Sequence, residues 1–322
     1  MPIELATNDA VEIAARAIRS GQLVAFPTET VYGLGADATC GLAVAKIYEA
    51  KQRPSFNPLI IHVLDLQTAA QYGNLNILAR RLAETFWPGP LTVVVPRTPQ
   101  SKIAELATAG LETIALRVPA HPVACALLRQ TAGPIAAPSA NRSGHVSPTS
   151  AAHVCADLGD APAFILDGGP TPLGLESTIV AVRDQQATLL RAGAITRDEL
   201  QSALGQSLLE PCRGGKYAPA APGQLARHYA PRSTLRLNAA APGIGEAWLA
   251  FGAVDPAHQG AFFNLSPSGD LREAAANLFA ALRELDASAG EAIAVSPIPE
   301  TGLGEAINDR LRRGAAPNPS AA

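Results

Sequence analysis

The sequence predicts an α/β protein built on one mixed, twisted sheet with helices, followed by a smaller open α/β domain. Three observations carry that reading. Up to about residue 204, strand-length apolar runs are interleaved with segments of helical apolar spacing, but without a regular βαβ rhythm. From 205 to 232 Gly, Pro and Ala dominate, the composition of a linker. From 233 to 322 the alternation becomes regular. The expected layout is therefore a domain over 1–204, a linker or lid over 205–232 and a small domain over 233–322. A length of 322 residues favours two domains, and 48% hydrophobic against 16% charged residues argues against global disorder.

Asn8 is placed to cap a helix from Asp9 to Arg19, with Val11, Ala14, Ala15 and Ile18 as its apolar stripe and Gly21 at its end. Leu23–Phe26 reads as a buried strand, and Thr39–Glu49 as a second helix. Between them Phe26–Asp37 reads as a strand-to-helix connection, a place where α/β proteins hold ligands. It carries Thr28, Glu29, Thr30 and Tyr32, and Gly33 and Gly35 allow positive φ or close approach to a ligand. An ordinary turn with capping hydroxyls would use the same residues.

Lys51–Pro58 is a basic loop held by two prolines, leading into a strand over Leu59–Val63. One or two helices run to Phe86, Trp87-Pro88-Gly89-Pro90 turns the chain, and Leu91–Val95 and Thr113–Val118 are strands. A helix over His121–Gln130 and a short strand over Pro134–Ala137 precede the polar loop Pro138–Pro148. Residues 163–167 form a strand, Ser177–Val182 and Thr188–Arg191 a hairpin, and Thr196 with Glu199 a capping box. In the last domain, strands over Thr234–Leu237, Ala247–Phe251, Ala261–Leu265 and Ala292–Ser296 accompany a helix over 269–285 capped by Ser268. A second helix opens at Gly302-Leu303-Gly304, which lacks the third glycine of a dinucleotide fingerprint.

A formal net charge of -3 provides no global basic field for nucleic acid. Cys40, Cys125, Cys155 and Cys212 form no C-x-x-C pair, and each reads as a small buried hydrophobe. The start Met1-Pro2-Ile3-Glu4 has no signal-like character, and no apolar run approaches a membrane span, so a cytoplasmic protein with no membrane contact is the default. No Walker A, H-E-x-x-H or G-x-S-x-G motif occurs. What remains is a set of cations at strand exits and loops: Lys51, Arg53, Arg117, Arg142 and Arg191. Each alone is ordinarily a solvated charge, but their recurrence beside Gly/Ser-rich turns suits phosphate or carboxylate oxygens. Ser139–Ser147 is equally a polar loop or a phosphate cradle, and His62 in an apolar strand is ordinarily a core histidine. Glu176 reads as a turn carboxylate or as a group near a metal or an amine. With no paired carboxylates at metal spacing, no metal ligand is assigned, and any Mg²⁺ would be held mainly by a nucleotide.

The opening stretch, Lys51-x-Arg53, Pro138-Ser139-Ala140-Asn141 and Gly174-Leu175-Glu176-Ser177-Thr178 together resemble the YrdC-like threonylcarbamoyl-AMP synthases. His228-Tyr229-Ala230-Pro231 and Gly302-Leu303-Gly304 resemble the longer, two-domain branch, whose second domain is Rossmann-like. The resemblance implies joining of L-threonine, bicarbonate or CO₂ and ATP into L-threonylcarbamoyl-AMP, with release of pyrophosphate. Threonylcarbamoyl-transferase proteins then use the product on tRNA, next to the anticodon. The resemblance further implies that Thr30, His62, Arg117, Ala137 and Ser177 surround threonine, with Arg117 on its carboxylate. Family members often have Ser at the position of Ala137. Arg53, Asn57, Thr113, Ser139, Ser147, Arg191 and Tyr229 would hold ATP, with Lys51 and Asn141 close to its phosphates, and Lys51 and Arg53 would neutralise charge in catalysis.

Two other classes fit the fold. One is a module of the same fold that grips structured RNA without catalysis; the acidic balance argues against it. The other is a carbamoyl-adenylate maker serving metal-cluster maturation, against which the lack of C-x-x-C pairs counts.

Overall fold

The computed structural model describes residues 3–211, 227–254, 260–288 and 292–317. Most of the linker expected over 205–232, and Cys212, lie outside these residues. The first half runs β1 (Ile3–Leu5), α1 (Asn8–Arg19), β2 (Val24–Phe26), β3 (Gly33–Asp37), α2 (Gly41–Lys51), β4 (Ile60–His62), α3 (Leu66–Tyr72) and α4 (Ile77–Phe86). It continues with β5 (Leu91–Pro96), β6 (Thr113–Arg117), α5 (Pro122–Thr131), β7 (Ile135–Ala136), α6 (Ala151–Leu158), β8 (Phe164–Asp167), β9 (Thr178–Arg183), β10 (Gln186–Arg191) and α7 (Arg197–Leu204). These strands form one sheet in the order β1-β8-β2-β3-β7-β4-β6-β5-β9-β10. Parallel pairs such as β4 with β6 occur beside antiparallel ones such as β5 with β6, so the sheet is mixed, as its irregular rhythm predicts. One face carries α1 and α5 over Val24, Phe26, Ile135 and Leu166. A larger core including Leu34, Ile47, Ile61, Leu82, Leu116 and Val180 lies on the other.

The second half comprises β11 (Thr234–Arg236), β12 (Ala247–Ala250), β13 (Phe262–Asn264), α8 (Leu271–Ser288), β14 (Ala292–Val295) and α9 (Leu303–Gly314). Its strands form an all-parallel sheet in the order β11-β14-β12-β13. The apolar core of this half takes in Val31, Val146 and Leu175 from the first half. Gly174 marks the closeness of that joint. Its φ is +65°, and a β-carbon there would lie 2.4 Å from the Ala276 carbonyl oxygen of α8.

Several local expectations are corrected. Phe26–Asp37 is not a bare connection, because it contains β3, antiparallel to β2. Gly33 and Gly35 belong to that strand, and neither has a positive φ. A β-carbon on Gly35 would sit 2.7 Å from the Phe26 ring and 2.9 Å from Ile135, so this glycine serves packing. Thr7, not Asn8, caps α1, its hydroxyl accepting from the Ala10 N–H at 3.2 Å. At α8 the Asp270 carboxylate, not Ser268, accepts from the N–H groups of Arg272 and Glu273, and the helix runs to Ser288. Lys51 closes α2 and is buried rather than opening a solvated loop. Cys155 is exposed, and Cys40 and Cys125 are only partly buried. The capping box of Thr196 and Glu199 forms as expected.

Candidate active site

The register of the mixed sheet brings the chemistry-bearing residues together. His62 and Arg117 end the parallel neighbours β4 and β6 and are paired partners. Ala137 and Ser139 follow β7, Ser177 precedes β9, and Arg191 ends β10. The β2–β3 loop supplies Thr28 and Thr30, and Arg53 comes from the segment after α2. All of these residues line one cavity, which Glu176, His228 and Tyr229 complete. Every residue expected around threonine is therefore in it: Thr30, His62, Arg117, Ala137 and Ser177. Of those expected around ATP, Arg53, Ser139, Arg191 and Tyr229 line it directly, whereas Asn57, Thr113, Asn141, Ser147 and Lys51 do not.

The Arg117 end is fixed by a buried ion pair. Arg117 Nη2 donates to Glu29 Oε1 at 2.6 Å and its Nε to the Gly89 carbonyl at 3.3 Å. The other Glu29 oxygen accepts from the Ala120 N–H at 3.1 Å. Burial pushes the Glu29 carboxyl up, but Arg117 and the backbone N–H groups outweigh it and hold it below its usual range. His62 is pulled down to about 3 by burial and by Arg117, so its imidazole is neutral at ordinary pH. Its Nδ1 has no hydrogen-bond partner among the described residues. Thr28 donates to the Val31 carbonyl at 2.7 Å and lies 2.8 Å from the Thr30 hydroxyl, a local turn that sets Thr30. Ser177 is held 2.7 Å from Thr92.

Buried cations line or back the same cavity. Arg53 donates to the Asn57 and Pro58 carbonyls at 3.1 and 2.8 Å, and burial lowers it to about 10. Arg191 donates to the Ser177 carbonyl at 2.8 Å, and burial lowers it too. Lys51, 1% exposed, donates to the carbonyls of Ser139 and Asn141, so it braces the loop behind the cavity. Burial and then Arg53 hold its ammonium well below the usual range. Ser147 donates to Glu176 at 2.5 Å. Asn57, Asn141 and His228 each have a buried side-chain polar atom without a partner among the described residues. Such atoms are rare in folded proteins, and their gathering behind and along this cavity suits a polar ligand.

The chemistry follows from the charge balance. Both carboxylates that reach the cavity region are already neutralised, Glu29 by Arg117 and Glu176 by Arg310. Arg53 and Arg191 also line the cavity, Arg53 donating to the Asn57 and Pro58 carbonyls and Arg191 to the Ser177 carbonyl and hydroxyl. Hydroxyls and neutral His62 lie between. The site is built for anionic and hydroxyl groups on one ligand or two, and it lacks a carboxylate cage for a metal: among the described residues no cluster of three His, Cys, Asp or Glu side chains could hold one. Sequence reasoning did not commit to Thr28, Glu29, Glu176 or His228 as site residues. Glu29 and Glu176 each sit inside a motif already singled out, which was the available signal.

Residues 16–193 match a family model described as telomere recombination, which covers the Sua5, YciO and YrdC proteins. Residues 195–316 match the threonylcarbamoyl-AMP synthase C-terminal domain. A threonylcarbamoyl-AMP synthase of Bacillus subtilis is 40% identical, over 97% of this chain and 95% of its own. The crystal structure of Pyrococcus abyssi Sua5 complexed with L-threonine superposes with a TM-score of 0.88 at 38% identity, over 96% of this chain and 95% of that one. A putative threonylcarbamoyl-AMP synthase of Mycobacterium tuberculosis is 40% identical but covers only 60% of this chain.

Proposed function

The chain belongs to the Sua5/YciO/YrdC family, within it to the two-domain threonylcarbamoyl-AMP synthases, and we propose that its cavity divides that synthesis between two ends. It is a nucleotidyltransferase acting in tRNA modification. The observation that carries the assignment of ends is the buried Arg117–Glu29 pair beside neutral His62, in a cavity that the buried Arg53 and Arg191 also line.

At the first end Arg117 takes the threonine carboxylate, with Glu29 fixing the guanidinium plane. Thr30, His62 and Ser177 meet the amine and hydroxyl, and Ala137, lacking a hydroxyl, contributes only backbone and shape. The threonine amine attacks CO₂, derived from bicarbonate, to give a carbamate and lose a proton. A carbamate oxygen then attacks the α-phosphorus of ATP, and the bond to pyrophosphate breaks. Positioning and charge neutralisation dominate such a step, so no covalent nucleophile is required. Arg53 and Arg191 face the nucleotide, with Ser139 and Tyr229. Lys51, Asn57, Asn141, Ser147 and Thr113 act from behind them, Lys51 by holding the Ser139–Asn141 backbone toward the phosphates. Mg²⁺ enters as part of the nucleotide substrate, since both nearby carboxylates are ion-paired.

His228 and Tyr229 are buried at the cavity, where the returning linker shields a water-labile mixed anhydride. The product passes to threonylcarbamoyl-transferase proteins, so tRNA is met indirectly. No helix among the described residues is long and apolar enough to cross a membrane. Mass spectrometry after incubation with ATP, Mg²⁺, bicarbonate and L-threonine tests the reading. Threonylcarbamoyl-AMP and pyrophosphate are expected; ATP left intact, or consumed equally without threonine, would overturn it.

A further inference from the structure

The nucleotide end of the cavity is held from outside the first half of the chain. Arg310 of α9 has a side chain with no exposure at all. Its Nε donates to Glu176 Oε2 at 2.9 Å, its Nη2 to the Ala192 carbonyl at 2.8 Å and its Nη1 to Asp309 at 2.7 Å. Its guanidinium lies over the Tyr229 ring, 5.0 Å from the centroid. The second Glu176 oxygen accepts from Ser147. Burial lowers Arg310, but Tyr229, Glu176 and Asp309 more than reverse this and keep it charged.

A second arginine, Arg283 of α8, reaches the same loop. It donates to the Val146 carbonyl and contacts the Ser147 carbonyl at 3.5 Å, while Asp157 balances it at 3.0 Å. Ser147 is thus gripped through its hydroxyl by way of Glu176 and through its backbone from α8. Phe279 of α8 stacks on Tyr229 at 5.7 Å, so the same two helices also fix the aromatic that borders the cavity. By contrast, Arg117 is held by Glu29 and the Gly89 carbonyl, Glu29 also by the Ala120 N–H, and His62 lies in the β4–β6 ladder, all within the first half.

We propose that Arg310, assisted by Arg283, is a positioning residue for ATP: the second domain completes the nucleotide end by fixing Glu176, Ser147 and Tyr229, while the Arg117–Glu29 pair that takes threonine is held from the first half. This rests on the assignment of ends given above. Neither arginine lines the cavity, so their effect is transmitted through the residues they hold. A buried, multiply bonded guanidinium is a stiff support, because losing any one partner leaves a charge or acceptor without its bond.

The test uses the full-length protein and the Arg310→Met variant, which keeps the apolar stem and removes the fork. Threonine affinity is measured by calorimetry without nucleotide, and the KM for ATP in the synthase assay. The variant is expected to raise the ATP KM about ten- to a hundredfold, the loss of a charge-assisted hydrogen bond, with threonine affinity within about twofold. Adding Glu176→Gln to it should give less than the product of the two single effects, because both act through Ser147. Parallel loss of threonine and ATP binding, or an unchanged ATP KM, would overturn the proposal. If Arg310→Met does not fold, Arg283→Met carries the same test at a partly exposed position, expected to show a smaller rise confined to ATP; no rise, or an equal loss of threonine, overturns it. Failure of the unmodified protein to bind threonine or make product would instead remove the functional reading itself.

Discussion

Arg117 and Glu29, 88 residues apart in sequence, form a buried ion pair 2.6 Å long at the end of the β4–β6 ladder. The pair fixes the plane of the Arg117 guanidinium where it lines the cavity, the arrangement that the proposed role toward the threonine carboxylate requires. Arg117→Ala should therefore raise the threonine requirement by about 1.5–3 kcal/mol, or tenfold and more, with little effect on the ATP KM. Glu29→Gln should weaken threonine less, and should lower stability at neutral pH because the buried guanidinium loses its counter-charge. Because the Glu29 carboxyl is held below its ordinary value of 4.5, its contribution is complete above that pH and lost on acidification below it. Urea unfolding at neutral and acidic pH should show the Glu29→Gln penalty shrink in acid. Equal threonine and ATP effects for Arg117→Ala would sink the assignment.

His62 titrates near 3 in the fold against 6.5 ordinarily. As pH falls through 6.5 the unfolded chain takes up a proton that the folded chain refuses, so stability declines until the folded imidazole protonates near 3. His62→Asn should flatten the stability–pH curve over that window. The slope will not vanish, since His153 is lowered to about 4 and His228 is lowered as well. An unaltered curve would show that the site is wet enough to protonate His62.

Lys51 donates to the Ser139 and Asn141 carbonyls, so replacing it removes the brace as well as a charge. Lys51→Met should raise the ATP KM and lower turnover while calorimetric threonine affinity holds. Unchanged ATP kinetics would show that the Ser139–Asn141 backbone keeps its place without the ammonium.

Gly174→Ala places a methyl 2.4–2.6 Å from the α8 backbone at a left-handed position. The strain and overpacking together should cost about 2–4 kcal/mol in denaturant unfolding. A shift of under about 0.5 kcal/mol, the range of ordinary surface changes, would mean that α8 can withdraw freely.

The sheet was legible because its strands are apolar runs bounded by Pro and Gly, and the mixed order followed from their irregular spacing. Arg117 was legible as a cation at a strand exit; its partner was not, because only the His62–Arg117 register carries it to the Glu29 loop. Lys51 looked solvated beside two prolines, since nothing local announces two carbonyls 88 and 90 residues ahead that accept its hydrogen bonds. Gly33 and Gly35 looked like turn residues because the same absence of a side chain serves a turn and a crowded strand. The hold of Arg310 on Glu176 has no sequence signal at all: an arginine on an amphipathic helix is ordinarily a surface charge.

Val31, Val146 and Leu175 belong by sequence to one half of the molecule and by packing to the interior of the other. Heat cannot release the second half without stripping oil from the first, beside the very residues that flank the cavity. Scanning calorimetry of the intact chain should accordingly show one endotherm rather than two, and nucleotide, by tightening one end, should move the whole peak. Catalytic competence and structural integrity then expire at the same temperature, leaving no range in which this protein persists as an inactive but half-folded remnant.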